Sequence, residues 1–238
     1  MADDWAGQLW QFEMSQVCYQ ADPLPGQAAF RYRPGSRPVL ISAPHGARHW
    51  RQDYWKWEEE YTAALANLLA EQTGAYALAT VRRIRPDPNY EDDSDYKRLL
   101  ARVLREHEIR LVLDLHGAWS GPEFGLELGT IDSRSCPAYE TTIIQSFAAQ
   151  HFEADSVHFL DRLWVNCYFK GGAQQRTVTR FVWEQCGVNA AQVEINAYLR
   201  MVYCKPNLEH SHHEPYFAAD PIRQRRAINA LISIIQAV

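Results

Sequence analysis

Two histidines, His45 and His116, each end a short apolar segment and precede a glycine. A neutral imidazole at the carboxyl edge of a sheet is a good zinc ligand, and the glycine after it leaves room for a metal ion or a substrate beside the backbone. One such histidine alone is most often a structural, partly buried residue, so the repetition of the pattern carries the interpretation. It predicts a zinc site built around His45 and His116.

A catalytic zinc ion usually has three protein ligands and an open position for water, so a third ligand is expected. Asp114 lies two residues before His116 on the same face of the predicted strand, where its carboxylate could orient the imidazole. Glu194 lies within a predicted apolar strand, where a carboxylate is costly unless it is bonded or catalytic. Burial would raise its pKa and suit it to act as a general base. The alternative for Glu194 is a position at the rim or a salt bridge with an arginine.

Segments with strand and helix patterns alternate along the chain. This alternation predicts an α/β fold, a three-layer α/β/α sandwich with a central mixed sheet. We expect one domain over residues 1–238, with residues 1–36 as an N-terminal arm. The predicted strands are 39–43, 75–84, 109–117, 124–131 and one around Glu194, and the predicted helices are 55–71, 95–107, 139–152 and 221–236.

Composition excludes several classes of function. The net charge of −5 and the pI near 6.0 give no basic surface for nucleic acid or an acidic membrane. The sequence has neither a signal-peptide pattern nor an apolar run of the roughly 18 residues that a spanning helix needs, so a cytoplasmic protein is expected. The five cysteines are scattered without zinc-ribbon spacing and are predicted to be reduced and structural. We therefore expect a small-molecule or peptide substrate.

Several weak motifs occur in a fairly specific order between roughly residues 38 and 202. The motifs are a strand ending in PHG at His45, Arg83-x-x-x-Asp87-x-Asn89, a strand ending in DLHG at His116, Gly129-Thr130 near Ser135-Cys136, Gly171-Gly172 with Thr179-Arg180, and QVEIN around Glu194. Together they look like the N-formylglutamate amidohydrolase family, a relative of the zinc carboxypeptidases and aspartoacylase.

The resemblance implies a phosphorylase/hydrolase-like fold and one zinc ion held by two histidines and a carboxylate, with Glu194 as the general base. The carboxypeptidase relatives have a glutamate three residues after the first histidine, and here that position is Arg48. The amidohydrolase branch resembles a different arrangement, with an acidic residue at the start of the next helix. On this basis Glu60 is the predicted third ligand, Glu59 is the next choice, and His49 is a less favoured one.

The resemblance also implies an acidic substrate, an N-acyl amino acid such as N-formylglutamate or a short peptide. The family's loop often reads Asp-x-Asn-Arg, but Tyr90 stands where the arginine would be. Arg83, Asn89 and Arg180 are therefore the predicted substrate-binding residues, with Arg176 as a further choice, because a guanidinium can pair with both oxygens of a carboxylate.

Two alternatives use the same residues differently. One is a zinc carboxypeptidase or γ-glutamyl peptide hydrolase that acts on a longer substrate, and the other is a non-catalytic binding domain that keeps the fold. The histidines at 210, 212 and 213 could also bind a metal ion, but the neighbouring prolines favour a solvent-exposed loop.

Overall fold

A seven-stranded mixed sheet is the centre of the computed structural model, which describes residues 4–119, 121, 123–204 and 218–238. The strands lie in the order β1-β5-β2-β6-β9-β7-β8, and a separate hairpin joins β3 and β4. The strands are β1 (Phe30–Arg33), β2 (Val39–Ala43), β3 (His49–Arg51), β4 (Tyr54–Lys56), β5 (Tyr76–Thr80), β6 (Leu111–Ala118), β7 (Leu126–Gly129), β8 (Leu163–Val165) and β9 (Asn189–Asn196).

Helices cover both faces of the sheet. The longer helices are α1 (Trp5–Gln16), α2 (Thr62–Thr73), α3 (Asp95–Glu106), α4 (Glu140–Ala148) and α7 (Pro221–Gln236). The short helices are α5 (Val178–Phe181) and α6 (Ala197–Arg200), and α5 continues as a π-helical turn over Val182–Cys186. One apolar core joins the sheet to α1, α2, α4 and α7, and a second joins the opposite face to α3 and α5. The predicted three-layer α/β/α sandwich with a mixed sheet is confirmed.

The central strands are buried on both sides because their alternate side chains enter different cores. In β2, Val39, Ile41 and Ala43 belong to the first core and Leu40 belongs to the second. Strand β2 is parallel to β5 and β6, and β6 is parallel to β9, whereas β1 and β7 pair in antiparallel fashion at either side. The parallel strands β2, β6 and β9 therefore end at the same edge of the sheet.

The segment before α2 differs from the helix predicted to begin near Trp55. Residues 49–56 form the β3–β4 hairpin, which turns at Gln52 and Asp53 with φ values of 52° and 66°. Helix α2 begins only at Thr62, after Tyr61 in a left-handed conformation with φ of 65°. The acidic residues 58–60 therefore lie in the loop between β4 and α2, not in the first turn of a helix.

The N-terminal residues contribute two elements to the domain. Helix α1 packs against α2 in the first core, and β1 is the edge strand that pairs with β5. Asp4 accepts a hydrogen bond from the backbone N–H of Gly7 and caps α1. Asp220 caps α7 in the same way, because it accepts a hydrogen bond from the backbone N–H of Arg223. None of the helices among the described residues is long and apolar enough to cross a lipid bilayer.

Candidate metal centre

A carboxylate lies between the two histidines that the sequence singled out. Glu59 Oε1 is 2.7 Å from His45 Nδ1, and Glu59 Oε2 is 2.9 Å from His116 Nδ1. The three groups offer one ligand atom each within 4.8 Å of one another. They come from the turn after β2, the loop before α2 and strand β6, so the parallel sheet brings distant parts of the chain together here.

The far nitrogen of each imidazole also faces a carboxylate. His45 Nε2 is 2.9 Å from Asp87 Oδ1, and His116 Nε2 is 3.4 Å from Asp114 Oδ2. Metal-binding histidines commonly donate this second N–H to a carboxylate, which fixes the tautomer and leaves the other nitrogen for the metal. Two imidazoles and one carboxylate are a typical set of zinc ligands. The residues present therefore fit a zinc ion bound at the two Nδ1 atoms and Glu59. His45, Glu59 and His116 are the candidate metal centre, and the term metal centre denotes these three residues.

Charge and burial act against each other in this group. Burial disfavours protonation of both imidazoles, but Glu59 with Asp87 or Asp114 raises the pKa of His45 and that of His116. Burial likewise opposes ionisation of Glu59, but the two histidines hold its pKa well below the usual range. A cation that binds here takes the place of the protons on the imidazoles, since a metal ligand must be deprotonated.

Glu59, and not its neighbour Glu60, is the carboxylate that the loop directs to the imidazoles. The backbone N–H of Glu59 donates to the carbonyl of His45 at 2.8 Å, which ties the loop to the end of β2. Glu60 is buried beside Arg200. Burial lowers the pKa of Arg200, and the negative charge of Glu60 partly opposes this effect. The prediction of Glu60 assumed a helical first turn, but Glu60 lies in the turn before α2, which the backbone N–H of Thr62 closes by donating to the carbonyl of Glu59 at 3.2 Å.

Glu194 lies next to His116 across the sheet, since these two residues are register partners in β9 and β6. Gln192 Nε2 donates to Glu194 Oε1 at 2.7 Å. The Glu194 side chain is almost fully buried and lines the cavity at the metal centre, and this burial raises its pKa to about 7. A carboxyl group with that pKa can both accept and return a proton near neutral pH.

A second group of possible ligands, His45, His49 and Asp87, lies on the other side of the His45 ring. The His49 ring stacks on His45 with centroids 3.7 Å apart, and burial lowers the His49 pKa to about 3. Arg51 Nε already donates to Asp87 Oδ2 at 2.6 Å. Because a guanidinium compensates Asp87, this group is a poorer place for a cation than the Glu59 group.

Asn89 lies in the loop after β5, at the wall of the cavity. Its backbone N–H donates to Asp87 Oδ1 at 2.7 Å, and its side-chain oxygen accepts from the backbone N–H of Val178 at 2.7 Å. Asn89 thus joins the Asp87 loop to the start of α5 and holds Asp87 against His45.

The arginines that the sequence proposed for substrate binding lie away from the metal centre. Arg83 pairs with Asp22 beside a separate cavity of about 950 Å³, and Arg180 pairs with Glu184 at 2.9 Å. Arg176 pairs with Asp92. The histidines at 210, 212 and 213 lie outside the described residues.

Among the described residues, Arg51 and Lys170 are the cations that line the polar cavity at the metal centre. Neither residue was predicted from the sequence to bind the substrate. Arg51 lies in the β3–β4 hairpin, which was not predicted, and it had no motif of its own. Lys170 directly precedes the noted pair Gly171-Gly172, so its position beside that motif was the available signal.

Arg200, buried beneath the site, binds the three segments that carry the site residues. Its guanidinium donates to the carbonyls of Glu60 at 2.8 Å, of Ile195 at 2.7 Å and of Ala118. These carbonyls follow Glu59, Glu194 and His116 within two residues. A Cβ at Gly117 would lie 2.6 Å from Arg200 Nε, so the glycine after His116 makes room for this arginine.

No family model matches the chain, and no curated protein matches it. Solved structures with similar architecture exist. N-formylglutamate amidohydrolase from Ralstonia eutropha JMP134 aligns at 14% identity over 89% of this chain and 97% of that chain, with a TM-score of 0.52. Product-bound cell shape determinant protein Csd4 from Helicobacter pylori aligns at 12% identity over 87% of this chain and 54% of that chain, with a TM-score of 0.50.

At these identities the likeness concerns the fold, which different activities can share. The order of the motifs in the sequence predicted this fold. The chain therefore has the α/β fold of the N-formylglutamate amidohydrolase structure, with two histidines and a glutamate gathered at the carboxyl edge of its sheet.

Proposed function

We propose that the protein is a zinc-dependent hydrolase that cleaves the amide bond of an N-acyl amino acid, of which N-formylglutamate is the simplest example. The observation that carries the proposal is the position of Glu59 between the Nδ1 atoms of His45 and His116, with Glu194 beside them.

His45, Glu59 and His116 would hold the zinc ion, and Asp87 and Asp114 would fix the imidazoles from behind. A bound zinc ion would lower the pKa of a water molecule and polarise the amide carbonyl. Ser42 Oγ and Thr179 Oγ1 donate to Asp114 at 2.8 and 3.1 Å, so this carboxylate is itself held in place.

Glu194 would be the general base. It accepts a proton as the water adds to the carbonyl carbon, and it returns that proton to the nitrogen when the C–N bond breaks. The products are an amine and a carboxylic acid, which releases its remaining proton to water to become a carboxylate. A pKa of about 7 leaves a substantial part of Glu194 ionised at neutral pH, and Gln192 holds one of its oxygens in a defined position.

The positive charge in the cavity supports an acidic substrate. Arg51 and Lys170 line the cavity with Asn89, and we prefer these two cations to Arg83 and Arg180 as partners of a substrate carboxylate. Arg51 has only 16% of its side chain exposed and is anchored by Asp87, so its direction is fixed before a substrate arrives.

The same residues support a second candidate, a carboxypeptidase-like or γ-glutamyl peptide hydrolase activity on a longer substrate. A second cavity of about 540 Å³ adjoins the metal centre, which favours this candidate over a purely N-formyl substrate. A non-catalytic binding domain would not require a buried carboxyl group such as Glu194 beside the ligands.

Metal content tests the proposal directly. We expect about one zinc ion per chain by elemental mass spectrometry in the wild-type protein and in His107→Ala, whose exposed histidine ends α3, and less than a tenth of that in His116→Ala. Glu194→Gln should keep its zinc and lose turnover of N-acylglutamates by about 100-fold or more. A wild-type protein that takes up no zinc after resupply would contradict the proposal.

A further inference from the structure

Two cavities meet at the metal centre. Both are lined by His45, Arg51, Glu59, Phe169 and Glu194. The polar arm, about 390 Å³, is further lined by Asn89, Lys170, Gln174 and Gln175. The aromatic arm, about 540 Å³, is further lined by Trp57, Ala118 and Trp119. A substrate with its amide at Glu59 and Glu194 can therefore extend in two directions.

The aromatic arm offers a large apolar surface. Trp119 is 63% exposed and Phe169 is 40% exposed, and both side chains line the same cavity as His45 and Glu59. Phe169 is held in position because its backbone N–H and that of Tyr168 donate to the buried Glu127 Oε1 at 2.8 and 2.6 Å. Exposed aromatic rings that line a cleft gain free energy when an apolar group covers them.

The charges of the aromatic arm do not suit a carboxylate. Glu58 and Glu60 lie in its wall with Glu59, and Glu58 pairs with Arg48 at 3.2 Å. Arg51 lies where the two arms meet and already donates to Asp87, and the Arg200 guanidinium is bonded to three backbone carbonyls. Lys56 Nζ lies over the Tyr54 ring at 4.6 Å. The cations in this wall therefore already have partners, and the aromatic rings beside them favour a neutral group in this arm.

The polar arm has the opposite character. Lys170 pairs with Asp132 at 3.3 Å, but 41% of the lysine side chain and 54% of the aspartate side chain are exposed. Such a surface pair is weak, so Lys170 can exchange this partner for a substrate carboxylate. Arg51 adds a second positive charge nearer the metal centre, and the side-chain amides of Gln174 and Gln175 add neutral donors.

We infer that the substrate is an N-acyl amino acid with a large apolar or aromatic acyl group, bound with the acyl group in the aromatic arm and the carboxylate in the polar arm. This assignment rests on the proposed function and names its substrate class. A formyl group is too small to reach Trp119, whereas each further buried methylene group contributes about a fourfold gain in binding.

The test compares glutamates that carry a formyl, acetyl, hexanoyl or phenylacetyl group on the zinc-loaded protein. We expect kcat/KM to rise at least about tenfold from formyl to phenylacetyl. In Trp119→Ala the ratio of phenylacetyl to formyl kcat/KM should fall about tenfold, mainly through KM. The control is Ile222→Ala, which removes an exposed apolar side chain from α7, outside both arms, and should leave the ratio unchanged.

The polar arm is tested with N-phenylacetylglutamate and its α-carboxamide. The amide should raise KM about tenfold in the wild-type protein, and Lys170→Met should reduce that difference. A kcat/KM that is highest for the formyl compound, or an equal loss for every acyl group in Trp119→Ala, would overturn the assignment while the hydrolase proposal stands.

Binding separates the two proposals if no compound is hydrolysed. That result would contradict the proposed function, and calorimetry of N-phenylacetylglutamate with the zinc-loaded protein then decides the assignment. Binding that weakens about tenfold in Trp119→Ala but not in Ile222→Ala would support the two arms. No binding, or equal binding to all three proteins, would overturn them.

Discussion

Glu59 and Glu60 are adjacent carboxylates with different surroundings, which permits a matched comparison. Glu59→Gln removes the negative ligand between the imidazoles, so we expect zinc affinity to fall by more than the 10- to 100-fold typical of an orienting partner. Glu60→Gln should change zinc affinity by less than about tenfold, because this carboxylate acts on Arg200 instead. Competition with a chromophoric chelator measures both. Loss of zinc from Glu60→Gln with retention in Glu59→Gln would instead support Glu60, the ligand predicted from the sequence.

The pKa of Glu194 sets a pH dependence for turnover. A general base works in its ionised form, so kcat should rise with pH and be lost as pH falls through the pKa, which burial raises to about 7. The charge of a bound zinc ion lowers that pKa, so the midpoint is expected at or below 7. The zinc content at each pH must be measured in parallel, because protonation of His45 and His116 releases the metal in the same direction. A kcat independent of pH between 5 and 8, with zinc retained, would contradict the role of Glu194.

At this scale the sequence predicted the residues that end or interrupt apolar strands. His45, His116, Asp114 and Glu194 all belong to buried strands or their ends, where polar side chains are conspicuous. The choice between Glu59 and Glu60 was beyond such reasoning, because it depends on the direction of two neighbouring side chains in a loop without a repeating pattern.

Among the elements, the buried arginine at the end of α6 joins strands β6 and β9 to the loop that carries Glu59. Arg200→Lys replaces a planar fork that reaches three carbonyls by a single ammonium group. We expect the variant to lose about 3 kcal/mol of unfolding free energy, because buried carbonyls are left without donors. Its zinc affinity should fall about tenfold or more. Denaturant unfolding and chelator competition measure the two effects.

Arg226→Lys is the matched control for Arg200. Arg226 also donates to two backbone carbonyls, those of Gln150 and His151, and it pairs with Asp161, but it lies on α7 away from the metal centre. This variant should lose stability without a change in zinc affinity. If Arg200→Lys kept wild-type zinc affinity, Arg200 would be a structural residue only.

The elements that the sequence predicted well are those with a strong repeating pattern. The continuous apolar run of β6 and the capped helix α7 lie where expected. The β3–β4 hairpin was missed because its turn uses Gln52 and Asp53 at positive φ instead of the glycine or asparagine that usually marks such a turn. Because the hairpin was not predicted, the predicted helix began near Trp55 instead of Thr62 and wrongly included the acidic residues 58–60.

At the scale of the whole molecule, the order of the strands in the sheet brings His45, His116 and Glu194 together. Strands β2, β6 and β9 are neighbours in the sheet although long segments separate them in the chain. Alternation of strands and helices predicted the layers, and the common edge followed from parallel pairing. The two-armed cleft did not follow, because it depends on loops around Trp119 and Phe169 that have no periodic sequence pattern.

Zinc should stabilise the whole domain, because its ligands come together only in the folded chain. Free zinc at about 100 times its dissociation constant adds about 2.7 kcal/mol to the unfolding free energy, which raises Tm by about 5–10 °C in a domain of this size. Chelation should therefore lower the Tm of the wild-type protein by that amount and leave the Tm of His116→Ala unchanged. Glu194→Gln should respond to chelation as the wild type does, since Glu194 is the proposed base and not a ligand. A wild-type Tm that does not respond to zinc or chelator would mean that the Glu59 group holds the fold together as an ion-paired cluster without a metal.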